Sequence, residues 1–380
     1  MAESTKTGLS PIEDVIADAK AGKLFILVDD QNRENEGDLC IIGSHADADA
    51  VNFMAKYGRG LICLALTKER TEKLGLSMME RRNESRHQTA FTVSIEAREG
   101  VTTGISAYDR ARTISVAINP AMSERDITTP GHIFPLVARD GGTLVRAGHT
   151  EAVIDIAKAA GYPPNGVICE IMKDDGTMAR LPDLVEFAHV HNLKIGAIAD
   201  LIAWRRMNET LITRVTETAI ETEFGGAWRL IIYRNDVTDV EHIVLQKGEI
   251  LPDIPVMVRM HALDLMVDLF GRSHRSRSHG ELQRAMKKIA EAGTGVIVLL
   301  REASSSSLSD MVNKQVRAAS DAQSPELRDY GVGAQILNDL NITNMVLLTN
   351  SKPNVIGLEG YGLHIDGWQP VSDVTEEHKG

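Results

Sequence analysis

The sequence predicts a mixed α/β (α+β) protein with two domains. Short apolar runs, which are typical of buried strands, alternate with helical patterns as far as about residue 205. The chain has 380 residues, which is long for a single hydrophobic core. A new pair of strand-like segments begins after residue 209. We therefore expect an N-terminal mixed α/β domain in residues 1–207 and a C-terminal α/β domain in residues 208–380.

The first predicted element is a helix that follows Ser10-Pro11-Ile12-Glu13. Ser10 is a capping residue, Pro11 suits the first helical position and Glu13 completes a capping box. Gly22 is expected to end this helix before the first strand. The remaining predicted elements of this half are strands at 24–28, 60–66 and 91–97 and helices at 50–57, 106–117, 151–160, 184–190 and 198–206.

In the second half, segments 221–227 and 228–233 are predicted to be paired strands. Two low-complexity segments, 272–279 and 304–307, are rich in serine, and the first is also basic. Such composition is typical of mobile loops. No internal repeat relates the two halves.

Charge and composition narrow the class of protein. The net charge of −12 disfavours nucleic acid and anionic membranes as partners, although a local arginine cluster can still bind a phosphorylated small molecule. No apolar run approaches the roughly 18 residues that span a bilayer, and the N-terminus lacks the apolar core of a signal peptide. The three cysteines, Cys40, Cys63 and Cys169, have no paired spacing, which is typical of free thiols in a reducing compartment. We therefore expect a cytoplasmic protein.

Residues 29–38, Asp-Asp-Gln-Asn-Arg-Glu-Asn-Glu-Gly-Asp, are the most informative segment of the chain. Five of these ten residues are acidic, and they follow the strand predicted at 24–28. An acidic loop that leaves a strand is a common site for a hard cation such as Mg²⁺, which prefers oxygen ligands. Arg33 would add a contact to a phosphate or a carboxylate. The alternative is a solvated acidic turn.

The acidic segment resembles the signature of 3,4-dihydroxy-2-butanone 4-phosphate synthase, an enzyme of riboflavin biosynthesis. Further segments match that family in the same order, and together they cover residues 10–205 without a large gap. These segments are 87–93 continuing to 100–106, 130–136, 146–151, 169–170 and 174–178. The resemblance implies conversion of ribulose 5-phosphate to 3,4-dihydroxy-2-butanone 4-phosphate and formate.

The resemblance also implies a metal site. Glu34 and His149 match the family's metal ligands, and a carboxylate with an imidazole, waters and substrate oxygens suits Mg²⁺ or Mn²⁺ better than Zn²⁺. Such a cation would acidify a C–H bond beside the substrate ketone. Taken without the resemblance, His149 would be read as a hydrogen-bonded structural histidine.

Two groups of residues match positions that contact the substrate. Arg33, Glu34 and Asp38 belong to the acidic segment. The others are Arg146, Ala147, Gly148, His149 and Thr150, with Ala147 standing where relatives often have glycine. Thr150 precedes a predicted helix, whose N-terminus favours anions, and a plain helix cap is its alternative role.

His132 and Glu170 match residues that the family needs for catalysis. An imidazole can shuttle protons near neutral pH, and we assign acid–base work to Glu170 beside its expected contact with the substrate. A buried ion-pair partner is the alternative for Glu170. Cys63 matches a cysteine near the family's site, although its apolar neighbours indicate a core thiol. Thr103, with Thr102, would line the pocket or form the turn before Gly104.

The second half resembles GTP cyclohydrolase II on segments 258–261, 268–271, 329–337, 347–350 and 357–363. That enzyme holds zinc with three cysteines spaced Cys-x10-Cys-x-Cys, but this chain has no cysteine after Cys169. Asp264, Arg277 and His279 stand near the expected ligand positions, and a serine run at 303–308 replaces a glycine- and arginine-containing loop. We therefore expect no zinc, no opening of the GTP ring and a folded, degenerate domain.

Several alternatives remain open from the sequence. A replacement metal site could use His261, Asp264, His274 and His279. The chain could instead be bifunctional and also open GTP, or both domains could be inactive parts of a regulatory binding protein. The resemblance further implies a homodimer, since the family places its sites near the subunit interface.

Overall fold

The computed structural model describes residues 8–31, 33–80, 89–251, 254–271, 280–301, 330–350 and 361–371. Its contacts divide the chain into two compact units, Met1–Arg205 and Arg206–Gly380. Each unit contains a seven-stranded sheet with helices, so the predicted fold class is confirmed. Within the described ranges, no helix combines the length and the apolarity needed to cross a membrane.

The sheet of the first unit has the strand order β4-β5-β3-β6-β2-β1-β7. Strands β1–β7 and β3–β5 pair in parallel, and the other neighbours pair antiparallel. The sheet therefore contains both parallel and antiparallel pairs. The strands are β1 (Phe25–Val28), β2 (Gly37–Ile42), β3 (Cys63–Leu66), β4 (Ile95–Ala97), β5 (Ile127–Val137), β6 (Asn165–Glu170) and β7 (Ile195–Ala197).

Helices cover both faces of this sheet. They are α1 (Ile12–Lys20), α2 (Ala48–Phe53), α3 (Lys68–Lys73), α4 (Ala107–Ile118), α5 (His149–Ala159), α6 (Leu181–His191) and α7 (Ile198–Asn208). Apolar residues of α2, α4 and α6 pack into one core cluster, and those of α1, α5 and α7 pack into the other. Every residue of α5 from His149 to Ala157 is buried, so this helix lies inside the second cluster and fixes the position of whatever it carries at its N-terminus.

The start of α1 differs from the sequence prediction. The helix begins at Ile12, with Pro11 at the N-cap and no side-chain cap. The Ser10 amide instead donates to the Ile195 carbonyl (2.7 Å), and the Ile195 amide donates to Ser10 Oγ (3.4 Å). The predicted capping box is wrong because Ser10 extends the edge of the sheet beside β7.

Two predicted strands of the first unit are shorter than expected. Strand β3 begins at Cys63 rather than at residue 60, because the Leu61 amide donates to the Glu170 carboxylate at 2.8 Å. In segment 91–97, only Ile95–Ala97 forms a strand, while Phe91 and Thr92 make isolated bridges. The first departure places the Leu61 amide beside the side chain of Glu170, which lies 109 positions away along the chain.

The second unit has the strand order β14-β13-β11-β12-β10-β9-β8. Its strands are β8 (Ile212–Thr222), β9 (Gly226–Asn235), β10 (Val240–Lys247), β11 (Val256–Ala262), β12 (Gly295–Leu300), β13 (Asn344–Leu348) and β14 (His364–Gln369). The helices in the described residues of this unit are α8 (Leu265–Asp268), α9 (Glu281–Ala292) and α10 (Tyr330–Asp339). Helices α9 and α10 pack on two different apolar clusters, which gives this sheet a core on each face.

The hairpin β8–β9 replaces the strand pair predicted at 221–227 and 228–233. Segment 221–227 contains the end of β8, a turn and the first residues of β9. The polar, exposed β8 has little of the apolar signal on which the prediction relied. The two predicted mobile loops, 272–279 and 304–307, lie outside the described residues.

A buried histidine of the second unit generates a prediction about pH. His242 lies on β10, and the Arg301 amide donates to its Nδ1 at 3.2 Å, so this nitrogen carries no proton. Burial, followed by the charge of Arg301, lowers the pKa of His242 from 6.5 to about 4. Between pH 6.5 and pH 4, His242 therefore stays mostly unprotonated in the folded unit, whereas in the unfolded chain it takes up a proton.

Unfolding of the second unit should become easier as the pH falls from 6.5 to 4, with a loss of up to about 3 kcal/mol from His242. His242→Asn should flatten this dependence, while the exposed His364→Asn should leave it unchanged. Urea unfolding followed by tryptophan fluorescence across this pH range measures the effect, since Trp228 is buried in this unit. A His242→Asn protein with the parental pH dependence would contradict the assignment.

Candidate active site

The acidic loop between β1 and β2 is folded around the carboxylate of Asp29. That carboxylate accepts hydrogen bonds from the amides of Glu34 (3.0 Å) and Glu36 (2.8 Å) and from Arg33 Nη1 (2.9 Å). The side chain of Asp29 is 0% exposed. Burial raises the pKa of Asp29, but the Glu36 amide, the nearby His149 and the contacts with Arg33 and Glu34 lower it below the usual value overall. Asp29 is therefore a fixed negative charge beneath the loop.

Asp29, Glu34 and His149 form a candidate cation site. One ligand atom from each of these residues lies within 4.8 Å of those of the other two. Two carboxylates and one imidazole match the preferences of a hard divalent cation better than those of a thiophilic metal. The sequence predicted Glu34 and His149 for this role, and the structure adds Asp29 to them.

His149 is the first residue of α5, and its ring is buried. Its Nε2 lies 3.2 Å from the carbonyl oxygen of Leu27 on β1. A carbonyl only accepts hydrogen bonds, so Nε2 carries the proton and Nδ1 keeps the lone pair needed to bind a metal. Burial lowers the pKa of His149 to about 4, which keeps the imidazole neutral at pH 7.

Asp38 and Glu170 face each other across the pair β2–β6. Asp38 is buried, and burial followed by repulsion from Glu170 raises its pKa well above the usual value. Asp38 is the second residue of β2, whose residues are all buried, rather than the end of a loop, as the sequence had suggested. Its position is therefore set by the sheet and not by the acidic loop.

Glu170 depends on Gly60 for its position. The Leu61 amide holds Glu170 Oε2 at 2.8 Å. A Cβ atom at residue 60 would lie 2.5 Å from that oxygen and 2.5 Å from the Glu170 carbonyl, so only glycine fits there. The residues directly before Cys63 are therefore not part of β3, and the Leu61 amide among them holds the Glu170 carboxylate.

Cys63 lies on β3 opposite Ile168 and is buried in a core cluster. Burial, with smaller contributions from Glu170 and Asp38, raises the pKa of its thiol well above the usual value. The thiol is therefore protonated and unreactive at neutral pH. This environment agrees with a core thiol at the border of the site.

The segment from Arg146 to Thr150 leads into the N-terminus of α5. Arg146 Nη1 donates to Glu151 Oε2 at 2.6 Å, and the Arg139 amide donates to the other oxygen of Glu151 at 3.1 Å. Gly148 is the N-cap residue and Thr150 is buried, while Ala147 is exposed. Arg146 is thus bound to the first turn of α5, the helix that begins at His149.

A buried ion pair between Arg205 and Asp155 stabilises the turn that precedes Arg146. Arg205 Nη1 donates to Asp155 Oδ2 at 2.7 Å and to the Gly141 carbonyl at 2.9 Å. Asp155 also accepts from the amide (2.7 Å) and the hydroxyl (2.8 Å) of Thr143. The turn before Arg146 is therefore tied to the middle of α5.

His132 lies in a different part of the sheet. Between β4 and β5 the pairing passes from Ile95↔Ile133 to Glu96↔Thr128, so residues 129–132 bulge out of the ladder. His132 pairs there with Glu96, its Nδ1 lying 2.7 Å from Glu96 Oε2. Strand β3 separates β5 from β6, which puts the backbones of β5 and β6 about 10 Å apart.

Thr103 belongs to a loop that lies beside Glu96. It is exposed, and the neighbouring Thr102 donates through its hydroxyl to Asp109 Oδ2 at 2.7 Å. The Gly104 amide also donates to this carboxylate, at 3.0 Å. These bonds fold the segment into a turn before Gly104, which was the alternative role for it. The substrate contact of Thr103 stays a prediction.

Three residues at the site were not predicted from the sequence in these roles. Asp29 was visible as the first member of the acidic run, directly after the strand. Arg180 donates through Nη1 to the carbonyls of Glu34 (2.9 Å) and Asn35, and Glu96 holds His132. Neither of these two carries a local signal, because each acts on a segment that is distant along the chain.

Comparisons with known proteins agree with this architecture. A family model of 3,4-dihydroxy-2-butanone 4-phosphate synthase matches residues 13–204, and a model of GTP cyclohydrolase II matches residues 213–370. The riboflavin biosynthesis protein RibBA of Aquifex aeolicus is 46% identical over 98% of this chain and 94% of its own length. The 3,4-dihydroxy-2-butanone 4-phosphate synthase of Pseudomonas aeruginosa is 44% identical over 96% of this chain and 99% of its own length.

Two solved structures are also similar. The crystal structure of RibBX, a two-domain 3,4-dihydroxy-2-butanone 4-phosphate synthase from A. baumannii, has a TM-score of 0.73 at 39% identity and covers 96% of this chain and 100% of its own. A 3,4-dihydroxy-2-butanone 4-phosphate synthase in complex with two magnesium ions has a TM-score of 0.51 at 38% identity and covers 53% of this chain and 99% of its own.

Fold, site and comparisons together define a two-domain enzyme of riboflavin biosynthesis. The chain belongs to the 3,4-dihydroxy-2-butanone 4-phosphate synthase family, and a domain of the GTP cyclohydrolase II family is fused after the synthase domain.

Replacing Asp29 should loosen the acidic loop without unfolding the first unit. Asp29→Ala leaves the Glu34 and Glu36 amides without their acceptor, so both should exchange with solvent at least about tenfold faster. Hydrogen exchange of the peptide that covers residues 29–38 measures this change. Asp30→Ala, at the adjacent exposed position, is the matched control, and equal exchange in the two variants would show that Asp29 does not organise the loop.

Proposed function

We propose that the first unit converts D-ribulose 5-phosphate to L-3,4-dihydroxy-2-butanone 4-phosphate and formate, with a divalent cation. The observation that carries this proposal is the convergence of Asp29, Glu34 and His149 beside Asp38 and Glu170. The reaction requires enediolate formation, a skeletal rearrangement and cleavage of a carbon–carbon bond. A cation with several acids and bases around it meets these needs.

Glu34 and His149, with Asp29, would hold the cation, and the donor set fits Mg²⁺ or Mn²⁺. When bound, such an ion stabilises negative charge on the oxygens of a hydroxyketone. The similar synthase structure with two magnesium ions supports this proposal. The neutral His149 ring, whose orientation is fixed by the Leu27 carbonyl, is ready to bind a metal without first losing a proton.

The substrate would be bound from two sides. Arg33, Glu34 and Asp38 approach from the acidic loop and β2, and Arg146 and residues 147–150 approach from the start of α5. The amides at the N-terminus of a helix favour an anion, so the phosphate group would be held at this second side. Cys63 and Thr103 are proposed to border the pocket.

His132 and Glu170 would move the protons. Glu170 is partly buried, and the Leu61 amide and Gly60 fix its orientation, which suits a general acid or base acting on one substrate position. His132 is 43% exposed and stands two strands away from Glu170. We propose a cytoplasmic homodimer, in which a second subunit covers the surface around such exposed site residues.

For residues 208–380 we propose a folded domain that does not open GTP. The loop after β11, where a zinc ligand would stand, is closed by side chains: His261 Nε2 donates to Asp268 at 3.0 Å, and the Asp264 amide donates to the same carboxylate at 2.9 Å. His261 is thereby engaged within the protein. Arg277, His279, His274 and the serine run lie outside the described residues, so the replacement metal site stays a prediction without structural support.

The relatives support both readings of the second domain. The A. baumannii protein is described as a two-domain 3,4-dihydroxy-2-butanone 4-phosphate synthase, and the P. aeruginosa relative carries the same single activity in its name. The match to the GTP cyclohydrolase II model favours the alternative, a bifunctional enzyme. We prefer the monofunctional enzyme because the chain lacks the three thiolates that this zinc site needs.

The purified full-length protein should release formate from ribulose 5-phosphate with Mg²⁺ and stop when a chelator is added. Glu34→Ala, His149→Ala and His132→Ala should each reduce formate release by at least about a hundredfold, because each removes a ligand or a proton carrier. The exposed His189→Ala is the matched control. Absence of formate from the folded parental protein with metal present would exclude the synthase activity.

The same preparation should contain less than about one zinc ion per ten chains and should leave GTP intact, because no thiolate cluster binds the metal. Elemental analysis measures the zinc content, and chromatography of the nucleotide measures GTP loss after addition of Zn²⁺. Turnover of GTP would establish the bifunctional alternative.

A further inference from the structure

We propose that Glu96 is a positioning residue that fixes the tautomer and the direction of the His132 ring. The inference deepens the proposed function and rests on it, since it specifies how His132 can accept a proton. The two residues form a carboxylate–imidazole pair on β4 and β5, separate from the cluster around Asp29. The pair stands where the β4–β5 ladder is interrupted.

The geometry determines which ring nitrogen carries the proton. Glu96 Oε2 lies 2.7 Å from His132 Nδ1 and also accepts from the His132 amide at 3.1 Å. An ionised carboxylate only accepts, so Nδ1 must be the donor. Nε2 then holds the lone pair on the side of the ring that points away from Glu96. A free neutral imidazole has no such constraint and can carry its proton on either nitrogen.

The Glu96 carboxylate is itself held firmly. Its side chain is 13% exposed, against 43% for His132. Thr113 on α4 donates to Glu96 Oε1 at 3.4 Å and accepts from the Ala97 amide at 3.0 Å. Gly104 has φ +87°, and a Cβ atom there would lie 2.3 Å from Glu96 Oε2, so the loop before α4 covers the carboxylate closely.

Because Nδ1 already carries a proton, the His132 ring can accept a further proton only at Nε2. A proton taken from the substrate would go to Nε2 and give an imidazolium, whose charge the Glu96 carboxylate stabilises through the Nδ1–H bond. The same proton returns from Nε2 later in the reaction, so no proton is lost and none passes to Glu96. Glu96 touches neither the substrate nor the cation in this scheme, and its influence passes through His132.

Kinetics provide the first test. Glu96→Gln keeps the size of the side chain but loses its charge, and Glu96→Met also loses the oxygen acceptors. We expect kcat for formate release to fall by at least about tenfold in Glu96→Gln and further in Glu96→Met, with KM unchanged within about twofold. Glu99→Gln, an exposed glutamate three residues along the chain, is the matched control and should retain parental kcat.

The tautomer provides a readout that does not depend on activity. In protein labelled with ¹⁵N-histidine, the resonances missing from His132→Asn identify His132, and they should show a protonated Nδ1 in the parental protein. Glu96→Met should shift His132 toward the form protonated on Nε2. Thermal unfolding of each variant shows whether it is folded, and Glu96→Gln remains informative if Glu96→Met does not fold.

The outcomes separate the two proposals. If the folded parental protein releases no formate, the proposed function fails, whatever the tautomer of His132 is. If the parental protein is active but Glu96→Gln keeps parental kcat, or if His132 carries its proton on Nε2 in the parental protein, the inference about Glu96 is overturned. A selective loss of kcat together with a protonated Nδ1 supports it.

Discussion

The candidate site depends on one buried charge. Removing a carboxylate from water costs several kcal/mol unless hydrogen bonds and cations compensate it, and Asp29 is compensated by two loop amides and by Arg33. The bonds that satisfy Asp29 are the bonds that bend the loop. Glu34 is thereby turned toward His149. On the other side of the loop, Arg180 donates to the backbone carbonyl of Glu34. These internal bonds give the loop a defined shape.

The rest of the first unit arranges rigid elements around that loop. Strand pairing places Asp38 beside Glu170, and the buried helix α5 brings His149 to β1. Carboxylates are gathered in a confined space, and burial, followed by repulsion from Glu170, raises the pKa of Asp38 there. Such crowding of carboxylates is unfavourable by itself and is typical of sites that meet a cation or a proton during function. The second unit keeps two packed cores around its sheet, and in the loop after β11 His261 is hydrogen-bonded to Asp268.

Sequence reasoning succeeded where the signal is local. The apolar run before Asp29 and the pattern after His149 predicted β1 and α5, and the order of motifs predicted the family. It failed where a polar group is satisfied by a distant segment. Ser10 joins β7 instead of capping α1, and β3 starts late because Leu61 bonds to Glu170. Arg180 lies 145 positions from the Asn35 carbonyl to which it donates, and Glu96 lies 36 from His132. No periodicity along the chain records such pairings, because they depend on register and topology.

The burial of α5 has a consequence for how the first unit can evolve. The helix that presents His149 is enclosed from its first residue to Ala157, so it cannot come loose while the surrounding layers stay packed. Local opening, which many enzymes use to admit or release ligands, is expected to be confined to the exposed loops, and α5 belongs to the last part of the domain to unfold. A sequence change that weakens this helix would therefore lower the amount of folded protein in the cell before it altered the geometry around His149. In α5, selection for the amount of folded protein and selection for the geometry around His149 therefore act on the same residues. In the acidic loop, these two kinds of selection can act on different residues.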